Sequence, residues 1–118
     1  VTQATSPFFS KNAFLSILKS MRAIGIPAIA YHNNIPTLGE WGWVLGMNAP
    51  NVESNTLKAH LTELSFADIE TRFLNHDAVM SMLYFGKGMF DHFEEIVVND
   101  ELNLSLYQYY RDGAWDIY

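Results

Sequence analysis

The feature that most constrains this chain is a helix that ends sharply and is followed at once by two β-prone runs. From Lys11 to Ile24 the apolar residues Phe14, Leu15, Ile17, Leu18, Met21 and Ile24 recur at spacings of three and four. That period predicts an amphipathic helix with Lys11, Lys19 and Arg22 on its wet side. Ser10 stands where an N-cap belongs, and Gly25 with Pro27 just beyond supplies the stop. The next segment, IPAIAYHNNIP (26–36), is an apolar run of strand length bounded by prolines. After TLGE comes WGWVLGM (41–47), a second β-rich run with two tryptophans. Pro36 restricts φ and Gly39 permits positive φ, so the two runs read as a hairpin or as neighbouring strands of one sheet. A short β-prone piece ahead of the Ser6-Pro7 break opens the chain. The strand–helix–strand order predicts an α/β fold.

Beyond Asn48 the character changes. NAPNVESN is a polar linker, and residues 56–64 have the makings of a short helix. Asn75 can cap a helix running to about Tyr84, with Val79, Met80, Leu83 and Tyr84 as its apolar face. Residues 86–88, Gly-Lys-Gly, form a loop, and Met89–Val98 is mixed in pattern. Leu102, Leu106, Tyr109 and Tyr110 return to helical spacing. The aromatic set Tyr107, Tyr109, Tyr110, Trp115 and Tyr118 reads as a helix face packed onto the sheet. The chain thus divides into 1–48, the end of an α/β sheet, and 49–118, a mainly helical extension. About three strand candidates beside one firm helix would leave a sheet edge and one face uncovered. Self-association, or further strands contributed by sequence ahead of Val1, would cover them. The start at Val1, on what reads as a strand end, points to the second, so a fragment of a larger protein is expected.

Composition narrows the function classes. At 118 residues the chain is at most one small domain, able to bury roughly two-thirds of its unfolded surface. With 49% apolar and 14% aromatic residues it is not a disordered composition. Thirteen acidic residues against seven basic ones give a formal charge of −6. That balance argues against nucleic-acid or anionic-membrane binding and is compatible with a cationic ligand. The absence of cysteine excludes disulfides, thiolate metal sites and a cysteine nucleophile. No apolar run approaches the roughly 20 residues of a membrane-spanning helix. Ser6, Ser10 and Ser16 lack a nucleophile elbow. The histidines at 32, 60, 76 and 92 do not pair at metal-ligand spacing, and Asp91-His92 with Glu94 and Glu95 resembles a ligand cluster only superficially, so no metal is expected. The stretches around Gly39–Gly46 and Gly86–Gly88 lack the strand–loop–helix context of a nucleotide loop.

One set of motifs is more specific. QATSPFF (3–9), YHNNIPTLGEWGWVL (31–45), RFLN (72–75) and the terminal N-x-x-L-Y-Q-Y-Y-R-D-G-A-W-like run (103–115), in this order, are similar to the end of polyamine aminopropyltransferases, spermidine-synthase-like enzymes. The likeness is strongest to the long bacterial members and covers essentially the whole chain, with Gly39-Glu40-Trp41-Gly42 its most specific block. It implies the C-terminal portion of a Rossmann-like, methyltransferase-type domain. It further implies transfer of an aminopropyl group from decarboxylated S-adenosylmethionine, as co-substrate, to an amine such as putrescine. The family's Gly-rich nucleotide loop and acidic catalytic motif precede the region matched, so this stretch is expected to hold no catalytic residue and no cofactor site, and to be inactive alone. By the resemblance, Gln3 and Ser6 lie on the ligand side of a strand end. Trp41 would wall the pocket, and Glu40 would face a terminal ammonium. His32 beside the loop is a conceivable proton shuttle, with a structural role the commoner outcome. Shorter family members carry a substrate-touching Tyr where this chain has Leu38 in a shorter loop. That departure motivates an alternative reading, a non-catalytic relative with an interaction or regulatory role. A cytoplasmic setting is expected, with the parent anchored in the inner membrane by upstream segments, and so is a homo-oligomer.

Overall fold

The computed structural model describes residues 1–49, 51–100 and 104–113. Their elements run β1 (Thr2–Gln3), α1 (Lys11–Ala23), β2 (Ala28–Ile35), β3 (Gly39–Gly46), α2 (Ser54–Thr62), α3 (His76–Leu83), a 3₁₀ turn (Phe93–Glu95) and α4 (Ser105–Arg111). The fold is α/β. β2 and β3 form a hairpin in register from Ala28↔Gly46 to Ile35↔Gly39, closed by Leu38 N donating to Ile35 O at 3.0 Å. β1 pairs antiparallel with β3, giving the sheet order β1-β3-β2. Because β1 and β2 both run against β3, they are parallel to each other, and α1 is the crossover between them.

The period-2 alternation of the hairpin sorts its side chains onto two faces. Ala28, Ala30 and Val44 join Ala4 and the α1 residues Phe14, Leu15 and Leu18 in the larger core. Ile29 lies on the other face, packed with Leu57 of α2 and Leu83 of α3, with Tyr31, Leu45, Leu61 and Val79 around them. Both faces are therefore covered, which corrects the expectation of a bare one: α2 and α3 together do what one firm helix could not. α1 approaches β3 closely because Gly42 has no side chain. A Cβ there would meet the Phe14 ring at 2.3 Å.

The helix over Lys11–Ala23 forms as its period predicts and stops at Gly25, whose φ is +84°. Two details differ. Ser10 makes no side-chain cap; its amide instead donates to Ser6 O at 2.9 Å. Ile24 caps the helix end and is 75% exposed, so it does not belong to the buried face. The supposedly wet cations are tethered as well. Lys11 Nζ donates to Gly88 O at 2.8 Å, and Lys19 Nζ reaches the carbonyls of Phe93, Glu94 and Ile96 at 3.3, 2.7 and 2.7 Å. Buried Ser16 adds a hydrogen bond to Val97 O at 2.8 Å. These donors strap residues 85–97 over α1, with Phe85, Met89 and Phe93 packed beneath.

α2 begins at Ser54, two residues earlier than the pattern suggests; Ser54 Oγ accepts the Ala28 amide at 3.0 Å. Asn75 caps α3 as expected, its Oδ1 accepting from Ala78 N at 2.8 Å. On α3, Val79 and Leu83 pack inward while Tyr84 is 51% exposed. α4 packs on α1, not on the sheet: Tyr109 joins the α1-side core and accepts from Val97 N at 3.1 Å, whereas Tyr107 is 72% exposed. Leu102, Asn103, Trp115 and Tyr118 lie outside the described residues. Among the described residues no helix is long and apolar enough to cross a membrane.

Candidate functional site

The site predicted from the sequence sits at the tip of the β2–β3 hairpin. The turn Pro36–Leu38 is tight, and both Thr37 (φ 77°) and Gly39 (φ 78°) take left-handed backbone angles. Glycine adopts that conformation freely, but a β-branched Thr does so only under strain. The turn delivers Glu40 and Trp41 just inside the start of β3, which opens at Gly39.

Glu40 turns to the α1 face and meets His32 on the adjacent strand: Oε1 faces His32 Nδ1. The opposite ring nitrogen, Nε2, lies 2.6 Å from Tyr84 O. The ring is thus engaged at both nitrogens, by a side-chain carboxyl on one edge and a backbone carbonyl on the other. The imidazole also packs on Phe85, centroids 4.3 Å apart, and Phe85 in turn rests on Phe14 at 5.8 Å. The Glu40 side chain keeps 34% of its surface open and that of His32 21%.

Trp41 and Gln3 come together in one open cleft of about 370 Å³ that Thr5, Ile17, Leu106 and Tyr110 also line. Gln3 is exposed and sits opposite Trp43 on β3. Trp43 itself stacks on Tyr31 at 5.5 Å and 13°, a cross-strand pair on the α2–α3 face. Desolvation by burial raises the Tyr31 phenol above its usual range. Ser6 is fully buried, and its Oγ accepts from the Phe8 and Phe9 amides at 3.2 and 3.1 Å. That geometry shapes the turn into α1. So Gln3 and Trp41 share a cleft, Glu40 faces His32, and Ser6 is enclosed. The role of His32 was invisible to spacing, since Tyr84 and Phe85 are more than fifty residues away in sequence. Elsewhere, His92, Glu94 and Glu95 bring possible ligand atoms within 4.8 Å of one another, all three exposed, and exposed acidic groups adopt such spacing without an ion.

The class defined so far is an α/β unit whose hairpin tip presents a carboxylate and a tryptophan beside an edge strand. Comparison with known proteins makes this specific. The polyamine aminopropyltransferase of Shewanella oneidensis is 31% identical over 113 residues, covering 96% of this chain and 19% of the relative. Polyamine aminopropyltransferase 2 of Aquifex aeolicus is 33% identical over 113 residues, covering 94% and 20%. The polyamine aminopropyltransferase of Oceanobacillus iheyensis is 25% identical over 120 residues, covering 100% and 22%. The chain belongs to the polyamine aminopropyltransferase family and spans about a fifth of the length of these curated relatives. No protein-family model matches it, and no solved structure matches it significantly.

Proposed function

We propose that this chain is the C-terminal part of a Rossmann-like, methyltransferase-type domain, and that its hairpin tip supplies one wall of an amine site. The parent transfers an aminopropyl group from decarboxylated S-adenosylmethionine to a diamine such as putrescine. The amine lone pair forms a C–N bond to the carbon beside the sulfonium, the C–S bond breaks, methylthioadenosine leaves, and a base takes the amine proton. The observation that carries this reading is the near-full coverage of the chain by relatives of that name. Parallel β1 and β2 joined by α1 support the Rossmann-like part of it. Glu40 is the candidate partner for a terminal ammonium, Trp41 and Gln3 the candidate wall, and Ser6 the turn that sets the approach of β1 to α1. By the family resemblance the Gly-rich nucleotide loop and the acidic catalytic motif precede this stretch, so the nucleoside and the catalytic base are assigned to other parts of the parent, and this stretch alone turns over nothing.

The test is the whole protein containing this chain, incubated with decarboxylated S-adenosylmethionine and putrescine. Spermidine and methylthioadenosine should appear in equal amounts; no product with any of a panel of diamines would sink the reading. Leu38, 45% exposed in the turn where shorter relatives carry Tyr, favours the second reading, a non-catalytic relative. A preserved acidic pair in the preceding sequence decides for the enzyme and its loss for the alternative.

A further inference from the structure

We infer that His32 is a positioning residue for the amine site, orienting the Glu40 carboxylate and tying it to the strap over α1. The inference rests on the reading of Glu40 as an ammonium partner. A glutamate at a hairpin tip has three rotatable side-chain bonds and, left alone, samples many rotamers. Here one oxygen is held by His32 Nδ1 from the neighbouring strand. His32 in turn has no latitude: Nε2 is engaged by Tyr84 O at 2.6 Å and its face is packed on Phe85. Phe85 is anchored on Phe14, which is fully buried. A continuous chain of contacts therefore runs from the core through the strap to a partly open carboxylate.

A carboxylate has roughly four lone-pair sites, and His32 uses one. The second oxygen remains for an N–H donor of a ligand. Holding the acceptor in place ahead of binding removes an ordering cost at the moment of binding. Substitutions test the orientation directly. His32→Ala removes it outright, whereas His32→Asn keeps an amide donor close to where Nδ1 sits.

Putrescine binding is measured by titration calorimetry on the whole protein containing this chain, with KM and kcat for putrescine beside it. H32A should weaken putrescine binding about fivefold and raise KM with kcat little changed, while H32N should bind as well as the parent. E40Q should weaken binding at least as much as H32A. If H32A binds as tightly as or more tightly than the parent while E40Q is weakened, orientation by His32 is overturned and the Glu40 reading stands. An E40Q protein that binds putrescine normally overturns the Glu40 reading, and the role of His32 with it. Nitrogen NMR of the His32 ring gives a check that needs no substrate. E40Q should shift the Nδ1 resonance, and an unshifted Nδ1 would show that the two side chains do not meet, ending the proposal.

Discussion

The two faces of the sheet are built to different standards. On the α1 face, eight of the described residues are buried in one cluster, from Ala4 and Phe14 through Val44 to Ile96, and a strap held by lysine donors seals it. On the α2–α3 face, among the described residues, only Ile29, Leu57 and Leu83 are buried together. Beside them lies an apolar cleft of about 250 Å³ lined by residues including Tyr31, Leu61, Val79 and Met82. The chain between α2 and α3 leaves Leu64, Ile69 and Phe73 47%, 62% and 58% exposed. The close approach of a helix, and not the count of apolar residues, decides here how well a face is packed. α1 can come close because β3 presents Gly42 to it, whereas β3 presents Trp43 and Leu45 to the other side.

The tight face is most vulnerable at Gly42. Gly42→Ala puts a carbon at 2.3 and 2.7 Å from two atoms of the Phe14 ring, which is enclosed on all sides. Overpacking a closed core costs about 1–3 kcal/mol, and this contact belongs near the top of that range. Chemical denaturation of the variant should show a lower midpoint with an unchanged slope, and an unaffected midpoint would mean that α1 is not held as tightly as the contacts indicate. Next in size is Lys19→Met, which keeps the aliphatic stem and removes the ammonium shared by three carbonyls. Hydrogen bonds to a charged donor contribute about 1.5–3 kcal/mol, so a loss of about 2 kcal/mol is expected. Hydrogen exchange should report it as faster exchange confined to residues 93–99; a loss of protection spread evenly over the chain would refute the strap.

Much of the fold could be read from period and punctuation. α1, the hairpin, the Gly25 stop and the Asn75 cap all rest on interactions within a few residues, and local chemistry is what a sequence pattern encodes. The tethered lysines could not be read that way. Lys11 and Lys19 look like a solvated stripe because the carbonyls they bind return to α1 more than seventy residues later. Ser16, a polar residue on the buried face of α1, was the available hint that some backbone group is satisfied there. The candidate site divides in the same way. The hairpin tip and its block Gly39–Trp41 were legible as motif, whereas the His32–Glu40 contact requires the strand register. The enclosure of Ser6 requires the turn geometry. Neither is a property of spacing.

The smallest effect tests the looser face. Val79 projects from α3 into the apolar cleft, and Val79→Leu adds one methylene where there is room for it. Two small contributions have the same sign. Burying a methylene is worth about 0.8 kcal/mol, and leucine has the higher helix propensity by a few tenths. Loss of side-chain freedom offsets part of this, leaving a gain of about 0.5 kcal/mol. The same enlargement on the sealed face, Leu15→Phe, has no space to enter and should destabilise by about 1–3 kcal/mol. The pair is read as a difference in midpoint between two variants that both enlarge an apolar side chain on a helix facing the sheet. Opposite signs support unequal packing of the two faces. A loss of stability in both would mean that the cleft beside Val79 is already filled in solution, and that the contrast between the faces is one of exposure and not of packing.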